Sequence, residues 1–152
     1  MGDFRHGEDR PTVARDFAHV RDGRLAAVAS RDTARARRFA ETFGIPRFYG
    51  RYEDLVRDRA VDAVYVATPA SAHKDNALLA VNEGIAVLCE KPLTVTGREA
   101  EDLIKQARLN GTFLIEAMWT RFIPAIRWAR EHLWALGESW VHGIRPSAST
   151  PS

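Results

Sequence analysis

The sequence predicts a doubly wound α/β fold in which helices cover a parallel sheet. Its apolar runs occupy residues 24–29, 62–67, 85–89 and 112–117. These runs are continuous instead of alternating, as expected for parallel strands that are buried on both faces. Segments with apolar residues at helical spacing separate these runs, and such an alternation of strands and helices is typical of a parallel sheet. We therefore predict one partial α/β domain over residues 12–136.

Six helices are predicted between and around the strands. They span residues 12–20, 33–43, 51–59, 72–82, 96–110 and 122–136. Gly44, Gly84 and Gly111 each follow a helix, at the place where a positive φ is favoured. Thr96 precedes Glu99 by three residues, which is the spacing of a capping box. Residues 1–11 are predicted to be irregular, and the Ser/Pro/Thr-rich residues 137–152 to form a disordered tail.

Composition excludes several classes of protein. The 152 residues suit one domain, and 22 Lys and Arg against 20 Asp and Glu leave a net charge of +2, too small to indicate a nucleic-acid or anionic-membrane partner. Cys89 is the single cysteine, which excludes an internal disulfide and favours a reducing compartment. No apolar run approaches the roughly 20 residues of a membrane span, and the polar N-terminus does not resemble a signal peptide. A cytoplasmic protein without a metal site is predicted.

The ends of the predicted strands are the places to look for a ligand site, because open parallel sheets bind ligands at the carboxyl ends of their strands. Ser30 and Arg31 follow the first strand. In dinucleotide-binding folds this position faces the adenosine ribose, where an acidic residue suits NAD and an arginine suits the 2′-phosphate of NADP. Arg31 can form bidentate bonds to phosphate, and Ser30 adds a hydroxyl donor. The alternative is a solvated arginine that leads into a basic helix.

Lys91 stands between Glu90 and Pro92 at the end of the third strand. An ammonium group there can polarise a carbonyl or hydroxyl oxygen, or share a proton with it, if burial lowers its pKa. Glu90 can pair with Lys91 or with a ribose hydroxyl, and Pro92 fixes the backbone after the reactive position. The alternative is an exposed lysine without a chemical role.

Two further strand ends carry candidate contacts. Thr68 can bond a cofactor phosphate or the nicotinamide side, Pro69 can line the nicotinamide ring, and His73 is a candidate ligand contact at the next helix start. Trp119 and Arg121 follow the fourth strand and offer a flat apolar wall beside a forked donor. The alternatives are a structural histidine at the helix end and a core tryptophan.

Five motifs in this order resemble the glucose-fructose oxidoreductase / inositol dehydrogenase / MocA family. They are AVASRD (27–32), FYGRYEDLV (48–56), VATPASAH (66–73), EKPLT (90–94) and EAMWTRFIPA (116–125). The last motif is most similar to the dihydrodiol dehydrogenase and D-xylose dehydrogenase branch. The resemblance covers about residues 12–136 and implies a Rossmann-like cofactor domain of an NADP-dependent dehydrogenase, with NAD as the alternative cofactor.

The resemblance also implies roles for individual residues. The substrate would be a small sugar-like molecule or vicinal diol, and hydride would pass between its carbinol carbon and the nicotinamide. Lys91 would assist the proton, while Ser30 and Arg31 would hold the 2′-phosphate. Thr68, Pro69, Glu90 and Pro92 would line the dinucleotide, and Trp119 and Arg121 would close over the nicotinamide and substrate.

The chain departs from the family pattern at its beginning. Asp9 and Pro11 stand about where the family has the glycines of its phosphate-binding turn, and proline offers no amide hydrogen to a phosphate. No apolar strand precedes the first helix. Because that strand is central in the usual 3-2-1-4-5-6 order, the strands at 24–29 and 62–67 are expected to expose edges. Such edges favour aggregation or a homo-oligomer.

The second departure is at the other end, where the family's large sheet domain has no counterpart. The sequence therefore resembles a truncated cofactor domain. Two interpretations remain open: part of an NADP-dependent dehydrogenase, or a truncated, inactive fragment that acts at most as an interaction module. We expect the chain alone to be inactive and poorly stable.

Overall fold

A computed structural model describes residues 9–132 of the chain. The chain divides between Ala117 and Met118 into two compact units. The helices are α1 (Asp9–Asp16), α2 (Thr33–Phe43), α3 (Tyr52–Val56), α4 (His73–Asn82), α5 (Gly97–Leu109) and α6 (Pro124–His132), and the strands are β1 (Val28–Ala29), β2 (Phe48–Tyr49), β3 (Ala63–Val66), β4 (Ala86–Cys89) and β5 (Leu114–Glu116). Single 3-10 turns cover Phe17–His19, Ala70–Ala72 and Trp119–Phe122.

Local sequence signals explain where the helices begin and end. Gly44, Gly84 and Gly111 all have a positive φ, a backbone conformation that costs glycine little. At the start of α5, the Thr96 hydroxyl accepts from the Glu99 amide and the Glu99 carboxylate accepts from the Thr96 amide. The predicted capping box and helix stops are therefore confirmed.

The strands are parallel, as predicted, but they form two separate sheets. β1 pairs with β2, while β3, β4 and β5 form a three-stranded sheet in that order. The run at 24–29 yields strand structure only at Val28–Ala29. β2 was not predicted as a strand, because two paired residues are too few to give a sequence period. The order places β1 and β3 at facing edges of the two sheets, with no described strand between them.

Several boundaries differ from the prediction. α1 begins at Asp9 and gives way to a 3-10 turn at Phe17, so the predicted helix over 12–20 starts three residues early and ends irregularly. The last helix starts at Pro124 instead of 122, because the fixed φ and missing amide of proline suit a first helical position. The predicted end of that helix at residue 136 and the predicted tail at 137–152 lie outside the described residues.

The core of the first unit lies on one face of the three-stranded sheet. There α4 and α5 cover the sheet, and the buried side chains are Val56, Val66, Ala77, Ala80, Val81, Val87, Cys89, Leu103 and Ala107. The opposite face of the same sheet carries Leu88, Ile115 and Phe113, which are exposed within the structure. Within the described part of the first unit, α4 and α5 therefore pack on one face of this sheet. Among residues 9–132, no helix combines the length and apolar character that a bilayer span requires.

Candidate cofactor and catalytic site

The carboxyl ends of β3, β4 and β5 bring three predicted segments to one edge of the sheet. Val66 is in register with Cys89, and Cys89 with Glu116. The residues that follow these positions therefore leave the sheet side by side. They include Thr68 after β3 and Glu90 after β4, so the strand-end rule places these two predicted contacts at one edge.

Glu90 is held in place by neighbouring groups. Its amide donates to Val66 O at 2.9 Å, the Tyr65 hydroxyl donates to its Oε1, and the Lys91 amide donates to its Oε2 at 3.1 Å. The carboxylate therefore accepts a main-chain hydrogen bond from Lys91. Two fixed donors orient it at the strand end.

Lys91 is exposed, and the Lys91–Pro92 peptide bond is cis. Within residues 9–132, its ammonium group forms no ion pair. The backbone around it is anchored on both sides, since Leu93 donates its amide to Glu116 Oε1 at 2.8 Å. The arrangement fixes the backbone and leaves the Lys91 ammonium available to a ligand.

His73 links the turn after β3 to the turn after β4. It is 1% exposed, and its Nε2 lies 2.6 Å from Thr68 O and its Nδ1 2.7 Å from Pro92 O. Carbonyl oxygens only accept, and a neutral imidazole has a single N–H, so both contacts are hydrogen bonds only when both ring nitrogens carry hydrogen. The structure thus gives His73 an internal position between two candidate contacts, in keeping with the structural alternative, and its role as a ligand contact stays a prediction.

Thr68 contributes more than one group to this edge. Its carbonyl faces His73, and its Oγ1 accepts from Asn76 Nδ2 at 3.1 Å. Pro69 is exposed next to it, and its carbonyl accepts from the Ala72 amide at 2.8 Å. The turn between β3 and α4 is therefore fixed by α4 itself, with the Pro69 ring on the surface.

Ser30 and Arg31 lie on the other sheet, between β1 and α2. The Ser30 amide donates to Tyr49 O at 3.1 Å, and its Oγ accepts from the Asp32 amide at 3.3 Å. Asp32 caps α2 by accepting from the Arg35 amide at 3.1 Å. Arg31 is exposed, so its guanidinium can meet a phosphate beside a helix N-terminus, although the Asp32 carboxylate opposes an anion there.

A cavity of about 890 Å³ connects the two sheets within the first unit. Ser30 lines it from the β1 side, while Thr68 and Asn76 line it from the β3 side. The structure therefore brings Ser30 and Thr68 to one cavity. Arg31, Pro69, Glu90, Lys91 and Pro92 are not among its lining residues.

Trp119 and Arg121 belong to the second unit, where they lie on a 3-10 turn and are exposed. The Arg121 amide donates to Met118 O at 3.0 Å and closes that turn. Their predicted role over the nicotinamide stays a prediction.

Three side chains that support the site were not predicted. Tyr65, Asn76 and Glu116 hold Glu90, Thr68 and Leu93 respectively. Register gives the signal for Glu116, since it ends the strand that pairs with β4. Tyr65 and Asn76 reach their partners across 25 and 8 residues of sequence, distances that local patterns do not report.

Cys89 lies beneath this edge and is fully buried. Burial, together with the negative charges of Glu116 and Glu90, raises the pKa of its thiol from 9.0 to about 12. A thiol in that environment stays protonated and unreactive at neutral pH.

From Asp9 onward, the described residues form a helix where the family resemblance implies a phosphate-binding turn. Asp9 and Pro11, which stand where turn glycines are expected, lie within the first turn of α1. A helical backbone at these positions differs from a glycine turn that lets a pyrophosphate approach the amides. Residues 9–11 therefore do not fit the phosphate groups of a dinucleotide.

Comparisons with known proteins give a consistent result. Residues 7–117 match the sequence model of the family described as an oxidoreductase family with an NAD-binding Rossmann fold. The chain is similar to trans-1,2-dihydrobenzene-1,2-diol dehydrogenase from Mus musculus, with 43% identity over 127 residues, 80% of this chain and 38% of that protein. The Xenopus laevis protein of the same name is 38% identical over 86% of this chain and 39% of its own length.

Solved structures show the same fold. A 3-ketoreductase from Actinomadura kijaniata in complex with NADP and TDP-benzene has a TM-score of 0.74 and 34% identity, covering 81% of this chain and 38% of that chain. A levoglucosan dehydrogenase in complex with NADH and levoglucosan has a TM-score of 0.75 at 21% identity, covering 88% and 37%, which supports the fold alone. The chain thus spans well under half the length of the relatives it matches. It belongs to the glucose-fructose oxidoreductase / inositol dehydrogenase / MocA family of oxidoreductases, with a Rossmann-like NAD(P)-binding fold.

Proposed function

We propose that the protein supplies cofactor-binding and catalytic residues of an NADP(H)-dependent dehydrogenase that acts on a CH–OH group of a small sugar-like or vicinal-diol substrate. The observation that carries this proposal is the setting of Lys91. Its ammonium is exposed and forms no described ion pair, while Glu90 and Leu93 on either side are tied to Tyr65 and Glu116. A fixed backbone with an available proton carrier suits acid–base work.

Bound NADP would supply the hydride acceptor. Lys91 would hold the hydroxyl oxygen of the substrate through its ammonium, or in neutral form remove the proton from that oxygen. Thr68, Pro69, Glu90 and Pro92 would line the dinucleotide. His73 would act through these residues, since it touches the Thr68 and Pro92 carbonyls and is itself buried.

The choice of NADP over NAD is supported by Arg31. A guanidinium forms charge-assisted, bidentate bonds to a phosphate, whereas NAD offers only a ribose hydroxyl at that place. Arg31 is exposed at the carboxyl end of β1 beside the Ser30 hydroxyl. The ketoreductase structure in complex with NADP supports this choice, and NAD stays the alternative cofactor. A reducing, cytoplasmic location fits the single buried thiol.

Titration of the chain with NADPH and NADH, followed by nucleotide fluorescence, tests the cofactor assignment. We expect Arg31→Asp to weaken NADPH binding by about 1.5–3 kcal/mol, or roughly 10- to 150-fold, and to leave NADH binding nearly unchanged. The control is Arg38→Asp, which makes the same charge change at an exposed position of α2. Equal effects of the two variants would refute the role of Arg31.

A second candidate function is that of an inactive fragment that acts as an interaction module. The observation in its favour is the helical backbone at Asp9 and Pro11, which forms no glycine turn for a pyrophosphate at these described positions. The same titration separates the two functions. A folded, monodisperse chain that binds neither nucleotide at millimolar concentration would support the second function and overturn the first.

A further inference from the structure

We propose that Tyr65 is a positioning residue for Lys91: its hydroxyl holds the Glu90 carboxylate at the strand end and so keeps that carboxylate from pairing with the Lys91 ammonium. Neighbouring residues of opposite charge such as Glu90 and Lys91 can pair, yet their side chains form no ion pair in the structure. The chemical value of an available Lys91 rests on the function proposed above. The contacts that keep it available are visible in the fold.

Strand register explains why Tyr65 reaches Glu90. Tyr65 is in register with Leu88, and Glu90 follows Leu88 by two residues. The Glu90 amide donates to Val66 O at 2.9 Å, so the ladder continues one residue beyond β4. Because side chains alternate along a strand, Tyr65, Leu88 and Glu90 share one face of the sheet. The Tyr65 hydroxyl donates to Glu90 Oε1 across that face.

Both carboxylate oxygens of Glu90 are engaged within the chain. Oε1 accepts from the Tyr65 hydroxyl, and Oε2 accepts from the Lys91 amide at 3.1 Å. A turn of the carboxylate toward the Lys91 ammonium would break these bonds. An ionised carboxylate has about four acceptor positions on its two oxygens, so the two donors leave about two, one on each oxygen. The fixed carboxylate therefore suits a ligand with two neighbouring hydroxyl donors, such as a vicinal diol.

The Tyr65 hydroxyl is not needed to hold β3 and β4 together. Backbone pairing joins these strands along their whole length, from Ala63 with Ala86 to Val66 with Cys89. The half-buried ring of Tyr65 stays in place when phenylalanine replaces it. Loss of the hydroxyl therefore acts on the Glu90 carboxylate and leaves the sheet intact. The flexible stem of Lys91 then allows its ammonium to meet the released carboxylate, which attracts it.

Competitive acetylation of the full chain with a trace of N-hydroxysuccinimidyl acetate, read by mass spectrometry, compares the lysines with one another. An amine paired with a carboxylate is held in its protonated, unreactive form. The lysines of the chain are Lys74, Lys91 and Lys105. Lys74 pairs with Asp102 at 3.2 Å and serves as the paired reference, and Lys105 is the exposed reference. Slow labelling of Lys74 relative to Lys105 verifies that each variant is folded, and sucrose is added to strengthen effective burial.

Tyr65→Phe should lower the ratio of Lys91 to Lys105 labelling about two- to fivefold, the range that an exposed ion pair is worth. Combining Tyr65→Phe with Glu90→Gln should restore the parent ratio, because a neutral amide does not pair with an ammonium. Tyr49→Phe is the matched control and should leave the ratio unchanged. Its hydroxyl also donates to a carboxylate, that of Asp58 at 3.0 Å, but on the other sheet.

Two results would overturn the proposal. An unchanged ratio in Tyr65→Phe would show that the hydroxyl does not keep Glu90 from Lys91. A lowered ratio that persists in the double variant would assign the pairing to another acidic group, such as Glu116. The labelling needs no bound nucleotide, so a chain that shows the expected ratios and yet binds no NADPH would refute the proposed function and leave the role of Tyr65 intact.

Discussion

His73 offers the sharpest test of how the candidate site is held together. Its buried ring lies within 2.7 Å of two carbonyl oxygens, Thr68 O and Pro92 O, that belong to different strand-end turns. His73→Phe keeps a ring of similar size and removes both nitrogens. The two carbonyl oxygens then lose the contacts that the buried ring makes with them.

The expected loss of stability depends on how many hydrogen bonds the ring donates. Each acceptor left without a hydrogen bond costs about 1–3 kcal/mol, so His73→Phe should lower the free energy of unfolding by about 1–3 kcal/mol when the ring donates to one carbonyl and by about 2–6 kcal/mol when it donates to both. His73→Gln retains an amide donor for one of the carbonyls and should lose less than His73→Phe. His19→Phe is the matched control, because His19 is exposed on a 3-10 turn and surface changes usually stay within about 0.5 kcal/mol.

Urea unfolding followed by circular dichroism gives these differences from the midpoints at equal slope. If the parent midpoint is low, all four proteins are compared in trimethylamine N-oxide, which strengthens effective burial. A His73→Phe protein as stable as His19→Phe would refute the bridging role. It would mean that the two turns are held by other contacts, such as those of Asn76 and Glu116.

Two further predictions concern the residues around this bridge. The first uses a chimera in which residues 12–117 replace the matched segment of the mouse relative. In this chimera, Lys91→Met should lower kcat by about 10²- to 10⁴-fold and leave NADPH affinity within about twofold. Lys105→Met, on the exposed side of α5, is the control, and normal turnover of the Lys91 variant would show that Lys91 has no catalytic role. Because burial raises the pKa of Cys89 from 9.0 to about 12, the thiol contributes stability that is complete below pH 9 and is lost as the pH rises toward 12. Between pH 8 and pH 11, the free energy of unfolding should therefore fall more steeply for the parent than for Cys89→Ala. Parallel curves for the two proteins would contradict the raised pKa of Cys89.

The sequence predicted those features that depend on local or periodic signals. The helix of residues 33–43, the capping box at Thr96 and the glycine stops were all correct, because each depends on residues within one or two turns. The parallel strands followed from continuous apolar runs. The absence of an apolar run before the first helix predicted exposed edges at residues 24–29 and 62–67, and β1 and β3 do lie in separate sheets within the described residues.

The side-chain contacts within the candidate site were harder to predict from the sequence. The strand-end rule found Thr68 and Glu90 because backbone direction alone places them at the edge. It did not reveal that His73 turns inward, since a histidine at a helix start has the same local pattern whether it faces a ligand or two carbonyl oxygens. Nor did it find Tyr65, whose hydroxyl reaches Glu90 only because β3 and β4 are in register.

The two halves of the candidate site are fixed by different forces. Thr68 and Glu90 follow strands of one hydrogen-bonded sheet and are tied by His73, Tyr65 and Asn76. Ser30 and Arg31 follow β1 in a separate sheet, and the cavity of about 890 Å³ is lined by Ser30 on the β1 side and by Thr68 on the β3 side. A continuous parallel sheet would set the separation of these two residues by backbone hydrogen bonds at about 4.8 Å per strand. Within residues 9–132 no strand pairing joins β1 to β3. The alignment of Ser30 and Arg31 with the strand ends around Lys91 therefore depends on side-chain packing, which is less directional than strand pairing.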